Sequence, residues 1–347
     1  MHLNAPVSWG IVGCGWVARD YVAPAMDLTS ATRLVAVCDP DPAARASIAA
    51  GRPDVARHAD LAAFLATPGL EAVYVATPNH LHRPLVEAAA RAGKHVLCEK
   101  PMATTLADAE AMVAACEAAG VRYATAFDQR FHAYHRRLRA LVQEGRLGEV
   151  TAVRVHYACW TPADWSPIAG QAHDNWRVDP ARAGGGAFID LAPHGLDLTQ
   201  TLLGERIVET ACLFQRRVFD YPVDDGAALV GRFESGALLL LNVAYNCPDH
   251  FPRRTLELVG TRAMAVARNT MGQTPGGSLQ LVDARTGEVE QITVSPEEDR
   301  SPFAGGIEEF SRCLRAGEAF PYPPEGDLHT MRLLMDAHRQ VRDPLLP

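Results

Sequence analysis

An acidic side chain and an imidazole lie one helical turn apart behind a run of three glycines. Asp190 and His194 follow the glycines at 184–186, and side chains spaced i, i+4 share one face of a helix. An imidazole titrates near neutral pH, so His194 with a carboxylate beside it suits proton transfer to or from a hydroxyl group. We therefore expect both residues to be catalytic. In isolation, Asp190 is equally consistent with a helix cap and His194 with an ordinary hydrogen-bonded polar residue.

A lysine earlier in the chain supplies a second kind of chemistry. Lys100, with Glu99 beside it, follows an apolar run typical of a strand, and Thr77 and Asn79 follow the previous run. Ligands of open α/β sheets bind at the carboxyl ends of the strands, so we expect these segments to converge with the acid and the imidazole. The Lys100 ammonium would then stabilise negative charge on a substrate oxygen, and Glu99 would orient cofactor or substrate. Taken alone, Lys100 also fits a solvated surface cation.

A glycine-rich loop near the N-terminus indicates a dinucleotide site. Residues 13–18 fit G-x-G-x-x-G/A and lie between a strand-like run and a helical pattern, which is the context that this motif requires. Gly13 permits a tight turn, and Gly15 lets the backbone approach a pyrophosphate at the helix N-terminus. About twenty residues further on, Asp39 would accept hydrogen bonds from the ribose and repel a 2′-phosphate, which favours NAD over NADP. Nearby arginines such as Arg45 leave NADP open.

The elements that must position these residues change in kind along the chain. Short apolar runs alternate with helical patterns over the first 126 residues, which predicts βαβ units and a doubly wound parallel sheet. After a basic amphipathic helix near 133–144 the chain becomes strand-rich with short turns, which favours a large, mostly antiparallel sheet. The expected domains are a dinucleotide-binding domain at 1–126, a substrate and oligomerisation domain at 127–320, and a C-terminal helix at 321–347 that packs on the first domain.

In this order, the motifs resemble the Gfo/Idh/MocA family of oxidoreductases (glucose–fructose oxidoreductase, inositol dehydrogenase and rhizopine catabolism proteins). The resemblance implies an N-terminal Rossmann domain and a C-terminal α/β domain whose large open sheet often forms the oligomer contact. It also implies NAD(P)-dependent hydride transfer to or from a secondary alcohol of a sugar or cyclitol. Lys100, Asp190 and His194 match the family's catalytic positions, and Trp176-Arg177 matches a pair that lies near the cofactor in relatives.

Two features depart from the family pattern. Ala192 stands where a glycine is common, and the stretch 160–174 does not align, so we expect it to shape specificity. Acidic residues near this stretch favour a cationic amino sugar, or a glycoside that contains one, as substrate. Two other functions stay open: a glycosidase that uses transient NAD-mediated oxidation, and a non-catalytic regulator that binds dinucleotide.

The expected site residues form three overlapping groups. The catalytic group has His194 as general base, Asp190 holding the substrate or His194, and Lys100 donating to the carbinol oxygen. The expected cofactor-binding residues are Gly13, Gly15, Trp16, Val17, Asp39, Thr77, Asn79, His82, Glu99, Lys100, Trp176 and Arg177. The expected substrate-binding residues are Lys100, Asp128, Arg130, Trp160, Asp174, Asp190 and His194, with Gln129, His156, Trp165, Asn175 and Asp249 as further polar or aromatic candidates.

Composition limits the partners and the compartment. The 347 residues carry 33 Lys and Arg against 41 Asp and Glu, and this net charge of −8 disfavours nucleic acid and anionic membranes as partners. We find no apolar run near the roughly 18 residues of a membrane span, and no pattern of a signal peptide. Eight scattered cysteines without a C-x-x-C pair favour a reduced protein without a structural metal. We therefore expect a cytoplasmic homo-oligomer, a dimer or tetramer, that acts on a small molecule.

Overall fold

The chain folds into two compact units. The computed structural model describes residues 5–167 and 174–340, so residues 168–173 of the unaligned stretch and the end of the expected C-terminal helix lie outside the described residues. The first unit contains the chain up to Phe127 together with Phe303–His329. The second unit contains Asp128–Pro302 and the chain from Thr330 onward.

The first unit is built on the expected parallel sheet, which has six strands within the described residues. These strands are β1 (Val7–Val12), β2 (Thr32–Cys38), β3 (Ala56–His58), β4 (Ala72–Val75), β5 (His95–Cys98) and β6 (Tyr123–Thr125). Their order in the sheet is β3-β2-β1-β4-β5-β6. The strand order therefore reverses between β1 and β4, and ligands of doubly wound sheets bind at such a switch point.

Helices connect these strands, as the alternating pattern predicts. A π-helical turn at Ala18–Val22 continues directly into the first α-helix after β1. The α-helices of this part of the chain are α1 (Ala23–Asp27), α2 (Pro42–Ala49), α3 (Leu61–Leu65), α4 (His82–Arg91) and α5 (Leu106–Ala118).

The second unit contains the expected large, mostly antiparallel sheet. Its helices are α6 (Ala133–Gln143), α7 (Pro180–Ala183) and α8 (Ala187–Leu203). Its strands are β7 (Val150–Ala158), β8 (Ile207–Gln215), β9 (Gly226–Phe233), β10 (Leu238–Ala244), β11 (Arg254–Gly260), β12 (Ala263–Arg268), β13 (Ser278–Asp283) and β14 (Val289–Ile292). The order is β14-β13-β12-β11-β7-β10-β9-β8, and among the described strands β7 and β10 form the parallel pair.

Helix α8 packs on one face of this sheet, and the opposite face of β10 is exposed among the residues that the structure describes. A Cβ atom at Gly195 would lie 2.6 Å from the side chain of Leu241, so glycine allows α8 to pack closely on β10. Along β10, Leu239 and Leu241 are buried, whereas Leu238 and Leu240 are exposed. This period of two is typical of a sheet that is packed on one side only.

A helix from the C-terminal part of the chain completes the core of the first unit. Helix α9 (Pro302–Ala316) contributes Ile307 and Phe310 to the cluster that contains Trp9 of β1. The Trp9 and Phe310 rings have centroids 5.7 Å apart, and the Trp9 indole N–H donates to the Ser311 hydroxyl at 3.0 Å. Residues 303–316 group with the first unit because their apolar face packs against β1. The sequence pattern assigned them to the second domain.

The last helix divides between the units. Helix α10 (Pro324–His338) follows α9, and its residues up to His329 group with the first unit and those from Thr330 with the second. No helix in the part of the chain that the structure describes is long and apolar enough to cross a membrane.

Candidate active site

The glycine loop of the first unit has the geometry that its motif predicts. Gly13 has a φ of +87°, and a Cβ atom there would lie 2.6 Å from the carbonyl oxygen of Ala76, so no other residue fits without displacing the backbone. A Cβ atom at Gly15 would meet no heavy atom of the described residues within 4 Å. The space over Gly15, at the start of the helical segment, therefore fits a pyrophosphate group.

Asp39, at the end of β2, is tied to this loop. Its Oδ2 accepts the backbone N–H of Cys14 at 2.8 Å, and its Oδ1 accepts that of Asp41 at 2.9 Å. The Arg45 guanidinium donates to the carbonyl oxygens of Asp39 and Pro40. Asp39 therefore has a structural task besides the nucleotide contact that its position suggests. Trp16 and Val17, the other loop residues expected to bind cofactor, are partly buried.

His82 connects the segments that follow β4 and β5. It is fully buried, with Nε2 3.0 Å from the carbonyl oxygen of Thr77 and Nδ1 3.1 Å from those of Pro101 and Met102. Burial lowers the pKa of the His82 ring. Although expected among the cofactor-binding residues, His82 acts in the structure by holding two loops together. Asn79, on the first of these loops, is also buried.

Glu99 and Lys100 follow β5 as expected. The Tyr74 hydroxyl donates to Glu99 Oε1 at 2.7 Å, and the backbone N–H of Lys100 donates to Oε2 at 3.2 Å. The carboxylate of Glu99 is therefore fixed against its own sheet. Lys100 is partly exposed in the first unit, and Asp190 and His194 belong to the second.

In the second unit, a buried carboxylate fixes the start of α8. Asp224 accepts the backbone N–H groups of Gly186 and Phe188 at 2.9 and 2.8 Å. A Cβ atom at Gly186 would lie 2.1 Å from the Asp224 carbonyl oxygen, so the third glycine of the run allows this close approach. Burial raises the pKa of Asp224 to about 6. The sequence pattern did not single out Asp224, which lies on a loop before β9.

Asp190, in the first turn of α8, has two partners from other segments. The Tyr245 hydroxyl donates to Asp190 Oδ2 at 2.8 Å, and Arg177 Nε lies 3.8 Å from the same oxygen. Tyr245 is fully buried, and no motif in the sequence marks it. The Asp190 carboxylate is thereby held in one orientation while about a fifth of its side chain stays exposed.

Arg177 is itself held by aromatic rings. Its guanidinium carbon lies 4.6 Å from the ring centroid of Trp176 and 5.5 Å from that of Trp165, within the range of cation–π attraction. Of the expected candidates, Trp165, Trp176 and Arg177 thus form one cluster with Asp190.

The carboxylate that faces the His194 ring nitrogen belongs to Asp128. Asp128 Oδ1 lies 3.5 Å from His194 Nδ1, and the ring of Tyr157 packs edge-on against the imidazole at 5.3 Å between centroids. Asp128 opens a 3₁₀ turn, Asp128–Phe131, that follows β6. The same turn carries Arg130, which forms a buried two-point ion pair with Asp197 of α8. Arg130, expected at the substrate, therefore binds α8.

Two further candidates, Trp160 and Asp174, have partners within the second unit. Trp160 is about a third exposed and packs edge-on against Phe219, with centroids 4.9 Å apart. Asp174 is an exposed partner of Arg182 at 2.5 Å. Within residues 5–167 and 174–340, no three His, Cys, Asp or Glu side chains come together as a metal site.

Comparisons with known proteins identify the family of both parts of the chain. Residues 7–127 match the model of an oxidoreductase family with an NAD-binding Rossmann fold, and residues 135–266 match the GFO/IDH/MocA C-terminal domain. The chain is 32% identical to 1,5-anhydro-D-fructose reductase of Ensifer adhaerens, over 89% of this chain and 91% of the relative. It is 27% identical to an NADP(+) D-xylose 1-dehydrogenase of Haloferax volcanii, over 94% of each chain.

A solved structure has the same architecture. The aldose-aldose oxidoreductase of Caulobacter crescentus, complexed with glycerol, superposes with a TM-score of 0.84 at 27% identity. The superposition covers 97% of this chain and 98% of the other.

Proposed function

Because the chain belongs to the Gfo/Idh/MocA oxidoreductase family and carries its NAD-binding Rossmann domain, we propose that it transfers hydride between NAD(P) and a secondary alcohol of a sugar or cyclitol. The observation that carries the proposal is the arrangement on α8, where the Tyr245 hydroxyl donates to Asp190 and the Asp128 carboxylate lies 3.5 Å from His194 Nδ1. The names of the relatives, a sugar reductase and a sugar dehydrogenase, support this class of substrate.

In the proposed mechanism, each of three side chains acts on the substrate alcohol. When bound, NAD(P) supplies the hydride acceptor or donor. His194 takes the hydroxyl proton during oxidation and returns it during reduction. Lys100 of the first unit keeps the role that the family resemblance implies, a hydrogen bond to a substrate oxygen as negative charge develops. Asp190, fixed by Tyr245, accepts a hydrogen bond from a substrate hydroxyl. Proton transfer of this kind contributes about 10²–10⁴-fold to the rate.

NAD is the proposed cofactor, with NADP the weaker ligand. A 2′-phosphate placed at the end of β2 would meet the negative charge of Asp39. Arg45, the nearby cation that would favour NADP, donates to backbone carbonyls of Asp39 and Pro40. These two observations support the same preference.

We also propose that the open face of the second sheet pairs with another copy of the chain. Leu240 of β10 lies directly across from Val230 of β9, and both are exposed together with Leu213 and Leu238. Contiguous exposed apolar side chains on a sheet face are typical of an interface. A homo-oligomer, dimer or tetramer, would cover this face. A reduced, cytoplasmic setting is proposed because all eight cysteines are free thiols.

A substrate panel tests the proposed activity. Purified protein is supplied with NAD or NADP and with D-xylose, D-glucose, myo-inositol or an aminoglycoside, or with NADH or NADPH and 1,5-anhydro-D-fructose, and the reduced-nicotinamide absorbance is followed. We expect turnover with at least one neutral sugar or cyclitol, faster with NAD or NADH. His194→Ala should lower that turnover by about 10²-fold or more while NAD binding stays unchanged.

Other outcomes would contradict the proposal. Release of a leaving group from a glycoside without net change in absorbance would identify the glycosidase chemistry. Tight NAD binding with no turnover of any panel member would favour the regulatory function. The preference for an amino sugar stays a prediction from the acidic residues near 160–174, although Asp174 among them has an arginine partner.

A further inference from the structure

We infer that Asp128 is a positioning residue that orients the His194 imidazole and favours its protonated form during turnover. This inference rests on the proposed role of His194 as the group that moves the hydroxyl proton. Asp128 Oδ1 lies 3.5 Å from His194 Nδ1, and each side chain is only 4% exposed. The family resemblance assigns a task to His194 but none to Asp128.

The surroundings of Asp128 hold its carboxylate in place. The Gln129 side-chain amide donates to Asp128 Oδ2 at 3.0 Å and to the carbonyl oxygen of Gly272 at 3.0 Å. Two residues along the same 3₁₀ turn, Arg130 binds Asp197, which is three positions beyond His194 on α8. The turn is therefore joined to α8 by the Arg130–Asp197 ion pair and approaches it again at the Asp128–His194 contact, where both side chains are buried.

The charge balance of this cluster favours the imidazolium. Asp128, Arg130 and Asp197 together carry one net negative charge, and a proton on His194 brings the total to zero. Buried charges are costly unless they are paired, so the cluster is stabilised by the proton that His194 takes from the substrate alcohol.

Other charged or titratable groups of the second unit act on the imidazole with both signs. Asp190 on α8 adds negative charge but has Arg177 Nε 3.8 Å from its Oδ2, and Arg254 of β11, whose guanidinium lies 5.9 Å from the Tyr157 ring centroid, adds positive charge. Burial raises the pKa of Tyr157, so its phenol stays neutral. His135 of α6 is buried with its pKa lowered to about 3, and it therefore adds no charge near neutral pH.

The consequence for catalysis is a choice of nitrogen. With a carboxylate facing Nδ1, the ring proton is favoured there, which makes Nε2 the nitrogen that accepts the proton of the substrate hydroxyl. As the alcohol gives up that proton to Nε2, the imidazole becomes an imidazolium. Its Nδ1–H already faces the Asp128 carboxylate. The carboxylate thus both fixes the tautomer and strengthens the base.

The test is a titration of the His194 ring by ¹⁵N-histidine NMR, which needs no substrate. Spectra of the full chain and of Asp128→Asn are compared, and His194→Asn identifies the signal. We expect the His194 midpoint to fall by about one pH unit in Asp128→Asn and to recover in Asp128→Glu. Asp225→Asn is the matched control, since Asp225 is a fully buried carboxylate of the same unit that accepts the backbone N–H of Val218 and the side-chain amide of Asn246. It should leave the midpoint unchanged.

Kinetics provide the second readout. With the best sugar of the panel, the limb of the kcat/KM profile that His194 controls should move to lower pH in Asp128→Asn, and kcat should fall about tenfold with a smaller change in KM. If Asp128→Asn does not fold, Asp128→Ser replaces it. An unchanged His194 midpoint in a folded Asp128 variant overturns the inference. Full turnover by His194→Asn overturns the proposed function instead. The NMR comparison would still show whether Asp128 shifts the His194 midpoint.

Discussion

The role of the hydrogen bond from Tyr245 to Asp190 can be tested by removing one oxygen atom. Tyr245→Phe removes the hydroxyl that donates to Asp190 Oδ2 at 2.8 Å and leaves the rest of the fully buried ring in place. Burial raises the pKa of Tyr245 well above its usual value, so the phenol is a donor throughout the working pH range. The variant therefore removes a permanent donor and adds no cavity of consequence.

The magnitude follows from the charge and exposure of the acceptor. A hydrogen bond to a charged group contributes about 1.5–3 kcal/mol. The Asp190 side chain is 21% exposed, so water replaces part of the lost bond and the lower end of that range applies. About 1.5 kcal/mol corresponds to roughly a tenfold fall in kcat/KM. Steady-state turnover with the best sugar of the panel measures it, and the pH profile should keep its shape.

A matched variant separates this effect from a general loss of packing. Tyr221 is also buried in the second unit, and its hydroxyl lies 3.4 Å from the carbonyl oxygen of Thr161. Tyr221→Phe should therefore leave kcat/KM within about twofold of the wild type. Equal losses in the two variants, or no loss in Tyr245→Phe, would refute the role given to the Tyr245–Asp190 hydrogen bond.

Three shorter predictions concern the second unit. The pKa of Asp224 is about 6 in the fold, above its unfolded value near 4. Its contribution to stability is therefore present below about pH 4 and is lost as the pH rises through 6. The melting temperature of Asp224→Asn should not show this decline between about pH 4 and 6. Gly186→Ala places a Cβ 2.1 Å from the Asp224 carbonyl oxygen and should lower the free energy of unfolding, measured by urea titration, by about 1–3 kcal/mol. Gly326→Ala is the control and should cause no such loss, since a Cβ there meets no described heavy atom within 4 Å. Leu240→Glu should convert the proposed oligomer to monomers in sedimentation, and an unchanged mass would argue against the sheet face as the interface.

Local patterns carried much of the fold. The alternation of apolar runs and helical patterns predicted both sheets, because strand and helix periods depend on neighbouring residues. Gly13 was predictable for a similar reason, since its positive φ is a property of the turn itself. Helix α9 was recognisable as a helix, but its partner was not, because Trp9 and Phe310 are in contact although about 300 residues separate them in the sequence.

The candidate site divides in the same way. Asp190 and His194 could be selected because their spacing is local to one helix. Asp128 and Tyr245 reach that helix from segments 66 and 55 residues away in sequence, so no short motif records either contact. The spacing predicted that Asp190 would accompany His194, and the structure adds Asp128 as the carboxylate at Nδ1, because the 3₁₀ turn at Asp128–Phe131 and helix α8 are adjacent only in three dimensions.

The double attachment of Asp39 bears on any redesign of coenzyme choice. Replacing an acid at this position is the obvious route to accepting a 2′-phosphate, yet the same carboxylate anchors the amide of Cys14 in the pyrophosphate loop. Asp39→Ala would remove the hydrogen bond to the Cys14 amide as well as the negative charge that repels a 2′-phosphate. The affinity for both coenzymes would therefore decline. Asn or Ser at position 39 would remove the negative charge but keep an oxygen that can accept the Cys14 amide. The choice of replacement residue therefore matters more than the loss of the charge itself.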